Sequence, residues 1–241
     1  MKKNSYLIFT VILCFIALGY FLYTYKNRYV SEINTSVKSL PNPPDSDSYL
    51  GRHDEEMYQK GIALRKTERG KEALRHAGIN KLDKLESYFS SFVGQVISRE
   101  STPKTHALLE EVLYISRKTA GKAKKKFNRP RPFVAHPEDP TCLPDSKASS
   151  NPYGSYPSFH AATAWGFGLM LAKIVPDKSS TILNQTHRLS DSRWICGYHW
   201  ASDVLAAETM VEDIIGRLMQ NNDFQHRVAE AQKEWLSVPK K

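Results

Sequence analysis

GSYPSFHAATAWGFGLMLAKIVP, residues 154–176, is the stretch on which the fold reading turns. A turn over Tyr156–His160 opens directly into a helical pattern that runs from His160 to Ile174. Pro176 ends it, because proline cannot continue a helix. Upstream, Thr102 and Pro103 mark a second start, with Thr as N-cap and Pro at the first helical position. Leu108, Leu109, Val112, Leu113 and Ile115 follow, spaced as one apolar face. That helix runs into a basic group, Lys122, Lys124, Lys125, Lys126, Arg129 and Arg131, and stops before Pro130. Earlier still, helical patterns cover Asp54–Ala77 and Leu82–Ile97. Downstream, further helices are expected over Ser179–Leu189, from His199 through Leu218, and over Val228–Leu236. No segment alternates with the period of two that a strand requires, and no internal repeat is present. The reading is all-α, a compact helical bundle. Pro130–Tyr156, rich in Pro, Ser, Asp and Gly, is a long loop, and such loops inside compact domains often carry function.

The N-terminus reads as an export segment. Lys2 and Lys3 precede an apolar run from Tyr6 to Tyr23, closed by Lys26 and Arg28. Residues 1–30 are therefore expected to be a signal peptide or a membrane anchor. Residues 31–50, with Asn34–Tyr49 rich in Ser, Pro, Asn and Asp, read as a linker or arm, and 51–241 as the domain. The expected location is the periplasm or the cell exterior. Cys14 lies inside the export segment, which leaves Cys142 and Cys196 as an even pair, expected to form a disulfide in an oxidising compartment. The formal charge of +9 favours anionic partners: nucleic acid, an acidic membrane surface, or a phosphorylated small molecule. Charge alone does not choose among them.

Three short segments hold the residues that a phosphate site needs. Lys124 and Arg131 sit at a helix end and on the loop beyond it. Ser158-Phe159-His160 opens a helix, where unpaired backbone N–H groups and the helix dipole favour an anion. Ser192-Arg193, then His199 and Asp203, form the third. Arginine binds phosphate oxygens with a bidentate fork, while lysine acts as a point charge. His199 and Asp203 are four residues apart, hence on one face of a helix if the segment is helical. A carboxylate there can take the proton of one imidazole nitrogen and free the other to attack. Taken singly, a helix-start histidine is usually a cap, and a basic group usually a solvated face. Together they are the set that phosphoryl transfer uses.

In order and spacing, Lys124-x6-Arg131-Pro132, Pro157-Ser158-x-His160 and Ser192-Arg193-x5-His199-x3-Asp203 closely resemble the three-part signature of the type-2 phosphatidic acid phosphatase and vanadium haloperoxidase superfamily. Gly154–Ser158, Ile195–Trp200 and Thr67-Glu68-Arg69-Gly70-Lys71 narrow the resemblance to the bacterial class A nonspecific acid phosphatases, over about Leu40 to the C-terminus. That resemblance implies hydrolysis of phosphate monoesters at acid pH through a phosphohistidine. His199 would be the nucleophile, Asp203 its orienting carboxylate, and His160 the acid that protonates the leaving alcohol. Lys124, Arg131, Ser158, Arg193 and the main-chain N–H of Phe159 would bind the phosphate. It also implies no metal and no cofactor, and a homo-oligomer is expected. Phe159 departs from the pattern, which has Gly there. Either its ring projects toward the mouth of the site and meets the leaving group, or a positive φ strains the turn. Lys122 and Arg129-Pro130 repeat the first motif's spacing two residues earlier, and the aromatic Phe133 favours the Lys124 and Arg131 register. Four other readings stand beside this one. A haloperoxidase would hold vanadate in the same pocket, a membrane lipid phosphatase needs several spanning segments, a nucleic-acid-binding protein would use the basic group but lacks an aromatic-interleaved basic stretch, and a metal-dependent hydrolase would be sensitive to chelators.

Overall fold

A computed structural model describes residues 29–143, 147 and 150–238 of the chain. Among them there are helices and no strands. In chain order these are α1 (Val30–Ser39), α2 (Tyr49–Arg65), α3 (Glu68–His76), α4 (Leu82–Val93), α5 (Pro103–Phe127), α6 (Pro132–Ala135), α7 (Phe159–Ile174), α8 (Ser179–Ile195), α9 (Ala201–Leu218) and α10 (Asn222–Ser237), with one turn of 3-10 helix at Pro176–Lys178. The export segment lies outside the described residues. Among the described residues no helix is long and apolar enough to cross a membrane.

Helix α7 is the centre. It is apolar on nearly every side and buried on nearly every side, as a helix with no polar face must be. Helices α5, α8 and α9 pack around it. At Gly168 a Cβ would stand 1.8 Å from the Thr186 hydroxyl of α8. Glycine there makes room for the Thr186 side chain. Phe89 of α4 stacks on Phe167 at 5.1 Å between ring centroids.

Several helix boundaries differ from the sequence expectation, each for a local reason. Asp54–Ala77 is two helices, broken at Lys66-Thr67. The second docks on α8, where Arg69 donates to the Ser192 hydroxyl (3.1 Å) and the Arg188 carbonyl (2.8 Å). The helix expected to reach Ile97 stops at Val93, because Gly94 takes a left-handed conformation at φ 72°. Residues 31–50 are not extended throughout: Val30–Ser39 is helical and packs on α5 and α9, with Ser36 donating to Asp213 at 2.7 Å. Helix α8 continues past Leu189 to Ile195 and so carries the third motif's Arg193. Thr102 is the N-cap of α5 by position, but its side chain makes no cap hydrogen bond. The carboxylate of Glu234 in α10 takes the Lys104 and Thr105 N–H groups instead, both at 2.9 Å.

Candidate active site

The C-terminal end of α5, the start of α7 and the turn after α8 converge on a cavity of about 470 Å³. Lys124, Arg131, His160, Arg193, Tyr198 and His199 line it, with Phe159 at its wall. Each arrives by a local device. Asn128, at φ 47°, ends α5 and returns its N–H to the Lys124 carbonyl, which leaves Lys124 in the last turn. Pro132 starts a short helix, and Arg131 precedes it as N-cap. Ser158 is the N-cap of α7 and accepts from the Ala161 N–H at 3.3 Å. By helix geometry the N–H groups of Phe159 and His160 have no intrahelical acceptor. Gly197, at φ 78°, turns the chain out of α8 toward His199, and a Cβ there would stand 2.6 Å from Arg65 Nη2.

His199 is almost fully enclosed, at 2 % exposure. Its Nδ1 lies 2.8 Å from the Ser155 carbonyl, which can only accept, so the proton is on Nδ1. Nε2 therefore carries the lone pair, and Arg131 Nη1 donates to it at 3.0 Å. The expected partner, Asp203, is 3.5 Å from Nδ1. His199 lies before α9 rather than on it, with Trp200 as N-cap, so the pair does not share a helical face. The carbonyl holds the tautomer. Asp203, fully buried, accepts from Arg129 (2.6 Å), the Ser155 hydroxyl (2.5 Å) and the Trp200 N–H (2.8 Å), and so holds the backbone that bears that carbonyl.

The cations divide sharply. Arg129 is bonded to Asp203 and to Asp54 (2.8 Å) and is not on the cavity. Lys122 is exposed and bonded to Asn34. Lys124 points inward and donates to the Gly154 and Ser155 carbonyls. Arg193 is 5 % exposed, and its Nε and Nη1 are buried without any hydrogen-bond partner. The spacing repeated two residues earlier is thus absorbed by structural contacts, while Lys124 and Arg131 face the cavity. Ser158 is buried and off the cavity lining, its hydroxyl oxygen engaged by the Ala161 N–H.

Burial and crowded positive charge depress the pKa values here. Lys124 falls to about 7, by burial and then by Arg131 and Arg193. Burial, then Arg131, holds Arg193 down to about 10. His199 is pushed well below 6.5 by burial, then by Arg131, Lys124 and Arg193. His160 is pushed the same way by burial, then by Arg193, His199, Lys124 and Arg131. Three cations, two neutral imidazoles and unpaired guanidinium donors make a cavity built for an anion.

Known proteins resemble this chain over most of its length. The PAP2 superfamily matches residues 108–210. A non-specific acid phosphatase of Providencia stuartii is 36 % identical over 220 residues, 91 % of this chain and 87 % of the relative. One of Salmonella typhi is 34 % identical over 81 % of this chain and 78 % of its own length. An acid phosphatase of Zymomonas mobilis subsp. mobilis is 31 % identical over 81 % and 73 %. The chain belongs to the non-specific acid phosphatase family.

Against that family's pattern Phe159 causes no strain: Asn128 is the positive-φ residue among the described non-glycines. Its ring stands between the cavity and an adjoining groove, with the Arg117 guanidinium 5.0 Å over its centroid. Cys142 and Cys196 are disulfide-bonded, with Cα atoms 4.8 Å apart, and join the long loop to the turn that carries His199. Sequence reasoning missed Asn80, whose amide nitrogen is 2.8 Å from His160 Nε2, and the Ser155 carbonyl at His199. Neither had a signal to find it by. A lone Asn in a turn is common, and a carbonyl has no sequence identity. Asp54, which fixes Arg129 and Ser202, was equally silent.

Proposed function

We propose that this acid phosphatase hydrolyses phosphate monoesters through a phosphohistidine on His199. The observation that carries the reading is the buried guanidinium of Arg193, with Nε and Nη1 lacking partners, beside a histidine whose Nε2 lone pair faces the same cavity. An unpaired buried cation is costly, and a phosphate dianion supplies the acceptors it lacks. Arg131, which donates to Nε2, would turn its fork to the phosphate and expose the nucleophile. The Nε2–P bond forms as the P–O bond of the ester breaks, and His160 protonates the departing oxygen. Water then attacks phosphorus, His160 takes its proton, and the P–N bond breaks. Lys124, Arg131 and Arg193 neutralise the charge on the phosphoryl oxygens, so the reading requires no metal.

Acid operation follows from the same electrostatics. With its pKa at about 7, Lys124 is fully charged only below neutral pH. His199, depressed by burial and its cationic neighbours, keeps its neutral, nucleophilic form to lower pH than a free imidazole. Bound phosphate raises the His160 pKa and so supplies the proton that the leaving group takes. The disulfide supports the proposed location outside the reducing cytoplasm.

The test is His199→Ala with an acid-quench assay for phosphoenzyme. Turnover should vanish and no phosphoenzyme should accumulate, with wild-type turnover unaffected by chelator. A phosphoenzyme trapped in the variant would remove His199 as nucleophile.

A further inference from the structure

Asn80 has no part in the steps assigned to His199, His160 and the three cations. It lies in the short connection between α3 and α4, half-buried, with its side-chain amide nitrogen 2.8 Å from His160 Nε2. That connection is firmly placed. The Ile79 N–H closes on the His76 carbonyl at 3.0 Å, and His76 Nδ1 is 2.8 Å from the Ser192 hydroxyl, next to Arg193 on α8. The same helix therefore positions Asn80 and the Arg193 guanidinium.

We propose that Asn80 is a positioning residue for the reaction: its carboxamide holds Nε2 of His160, so that Nδ1 is the nitrogen presented to the leaving group. The proposal rests on reading His160 as the acid and base of the phosphatase cycle. Both forms of His160 that the cycle uses, the imidazolium and the neutral ring with a lone pair at Nδ1, carry a proton on Nε2. Each therefore needs an acceptor at the place where Asn80 stands. A half turn about the Cβ–Cγ bond puts Oδ1 in the position of Nδ2, and the contact becomes Nε2–H donating to Oδ1.

The balance of the first half-reaction is then complete. The P–O bond of the ester breaks as His199 Nε2 bonds phosphorus, and the Nδ1 proton of His160 passes to the leaving oxygen. His160 is left neutral, its Nε2–H still on Asn80. In the second half, Nδ1 takes the proton of the attacking water while the P–N bond breaks, which regenerates the imidazolium.

The choice of an amide rather than a carboxylate has a physical consequence. The charged and titratable groups facing His160 are Lys124 from α5, Arg131 from the loop after it, Arg193 from α8, and His199. All but His199 are cations, and with burial they oppose the imidazolium. A carboxylate at position 80 would reverse this and hold the ring protonated after it should have given up its proton. The neutral amide orients the ring and leaves its protonation to the bound phosphate.

The experiment uses the full chain with Asn80→Leu and Asn80→Asp. It follows kcat and KM against pH on nitrophenyl phosphate and methyl phosphate, with side-chain nitrogen NMR of labelled histidine. Asn80→Leu should lower kcat on methyl phosphate about tenfold, the scale of one neutral hydrogen bond, with little change on nitrophenyl phosphate or in KM. Asn80→Asp should move the alkaline limb of kcat on methyl phosphate to higher pH. In the NMR spectrum, His160 should pass from one tautomer to a mixture in Asn80→Leu. Equal losses on both esters, an unmoved alkaline limb and an unchanged tautomer would overturn the proposal. His160→Ala separates it from the reading beneath. If that variant loses no more on the alkyl than on the aryl ester, His160 is not the general acid. The tautomer measurement then decides Asn80 alone, a mixture in Asn80→Leu upholding its hold on Nε2 and a single tautomer rejecting it.

Discussion

Arg129 and Arg193 are both largely buried and lie within the same few elements, yet they are opposites. Arg129 is saturated, with one nitrogen on Asp203 and Ser202 and the other on Asp54. It ties the loop after α5 to α2 and to the start of α9. Arg193 has a ring beneath it, Tyr198 at 5.7 Å, but two of its nitrogens are buried without partners. A saturated buried cation has committed its donors to the fold. An unsaturated one keeps them for a ligand, and destabilises the protein until that ligand binds. Residue type is the same and both are largely buried, and it is unpaired donors facing a cavity that separate site from framework.

The contrast predicts opposite phenotypes. Arg193→Ala and Lys124→Ala should each lower kcat/KM by roughly a hundredfold or more without lowering Tm, since each deletes a cation that burial disfavours. Lys122→Ala, two residues away on the exposed side, should leave both measurements unchanged. If Lys122 matters and Lys124 does not, the division fails. Arg129→Ala should act on the fold instead, with urea unfolding showing a loss of roughly 3–5 kcal/mol because two carboxylates are left uncompensated. Full stability in that variant, with activity gone, would place Arg129 in the site after all.

A smaller effect sharpens the comparison through pH. The folded pKa of Lys124 is depressed to about 7, and those of His160 and His199 lie below 6.5. These groups bind fewer protons folded than unfolded, so Lys124 costs the free protein stability as pH falls from about 10.5 to about 7, and the two histidines cost it stability as pH falls below about 6.5. Bound phosphate favours the cationic forms of Lys124 and His160 and should oppose that loss. Inorganic phosphate should therefore raise Tm clearly at about pH 5 and little at about pH 9, with the rise absent in Arg193→Ala. An equal rise at both pH values would show that phosphate binding is not linked to these protons.

The smallest expected effect concerns selectivity. Phe159 stands at the wall of the cavity under Arg117, outside the set of cations proposed to hold the phosphate. Phe159→Gly should reduce the preference for an aryl over a sugar phosphate while leaving sugar phosphate turnover near its original rate. A large, uniform rise in both rates would mean that the ring obstructs the phosphate site itself.

Much of the site is legible in the sequence. Pro103, Pro132 and Ser158 mark helix starts by devices that act within three or four residues. They suffice to place Lys124 at the end of one helix and His160 at the beginning of another. Helix ends are less legible. Nothing within a few residues says that α8 continues past Leu189, because burial of Trp194 and Ile195 against the rest of the bundle sustains its last turns.

By itself, the sequence determined an all-helical chain, the histidines and cations of a candidate phosphate site, and the pairing of Cys142 with Cys196. Tertiary structure alone decided which cations are saturated, that a carbonyl rather than Asp203 takes the His199 proton, and that Asn80 meets His160. The reason is range. Helix starts depend on neighbours a few residues away, whereas the partner of a buried donor comes from wherever the fold brings an acceptor. Here Ser155 lies 44 residues from His199, and Asn80 lies 80 residues from His160.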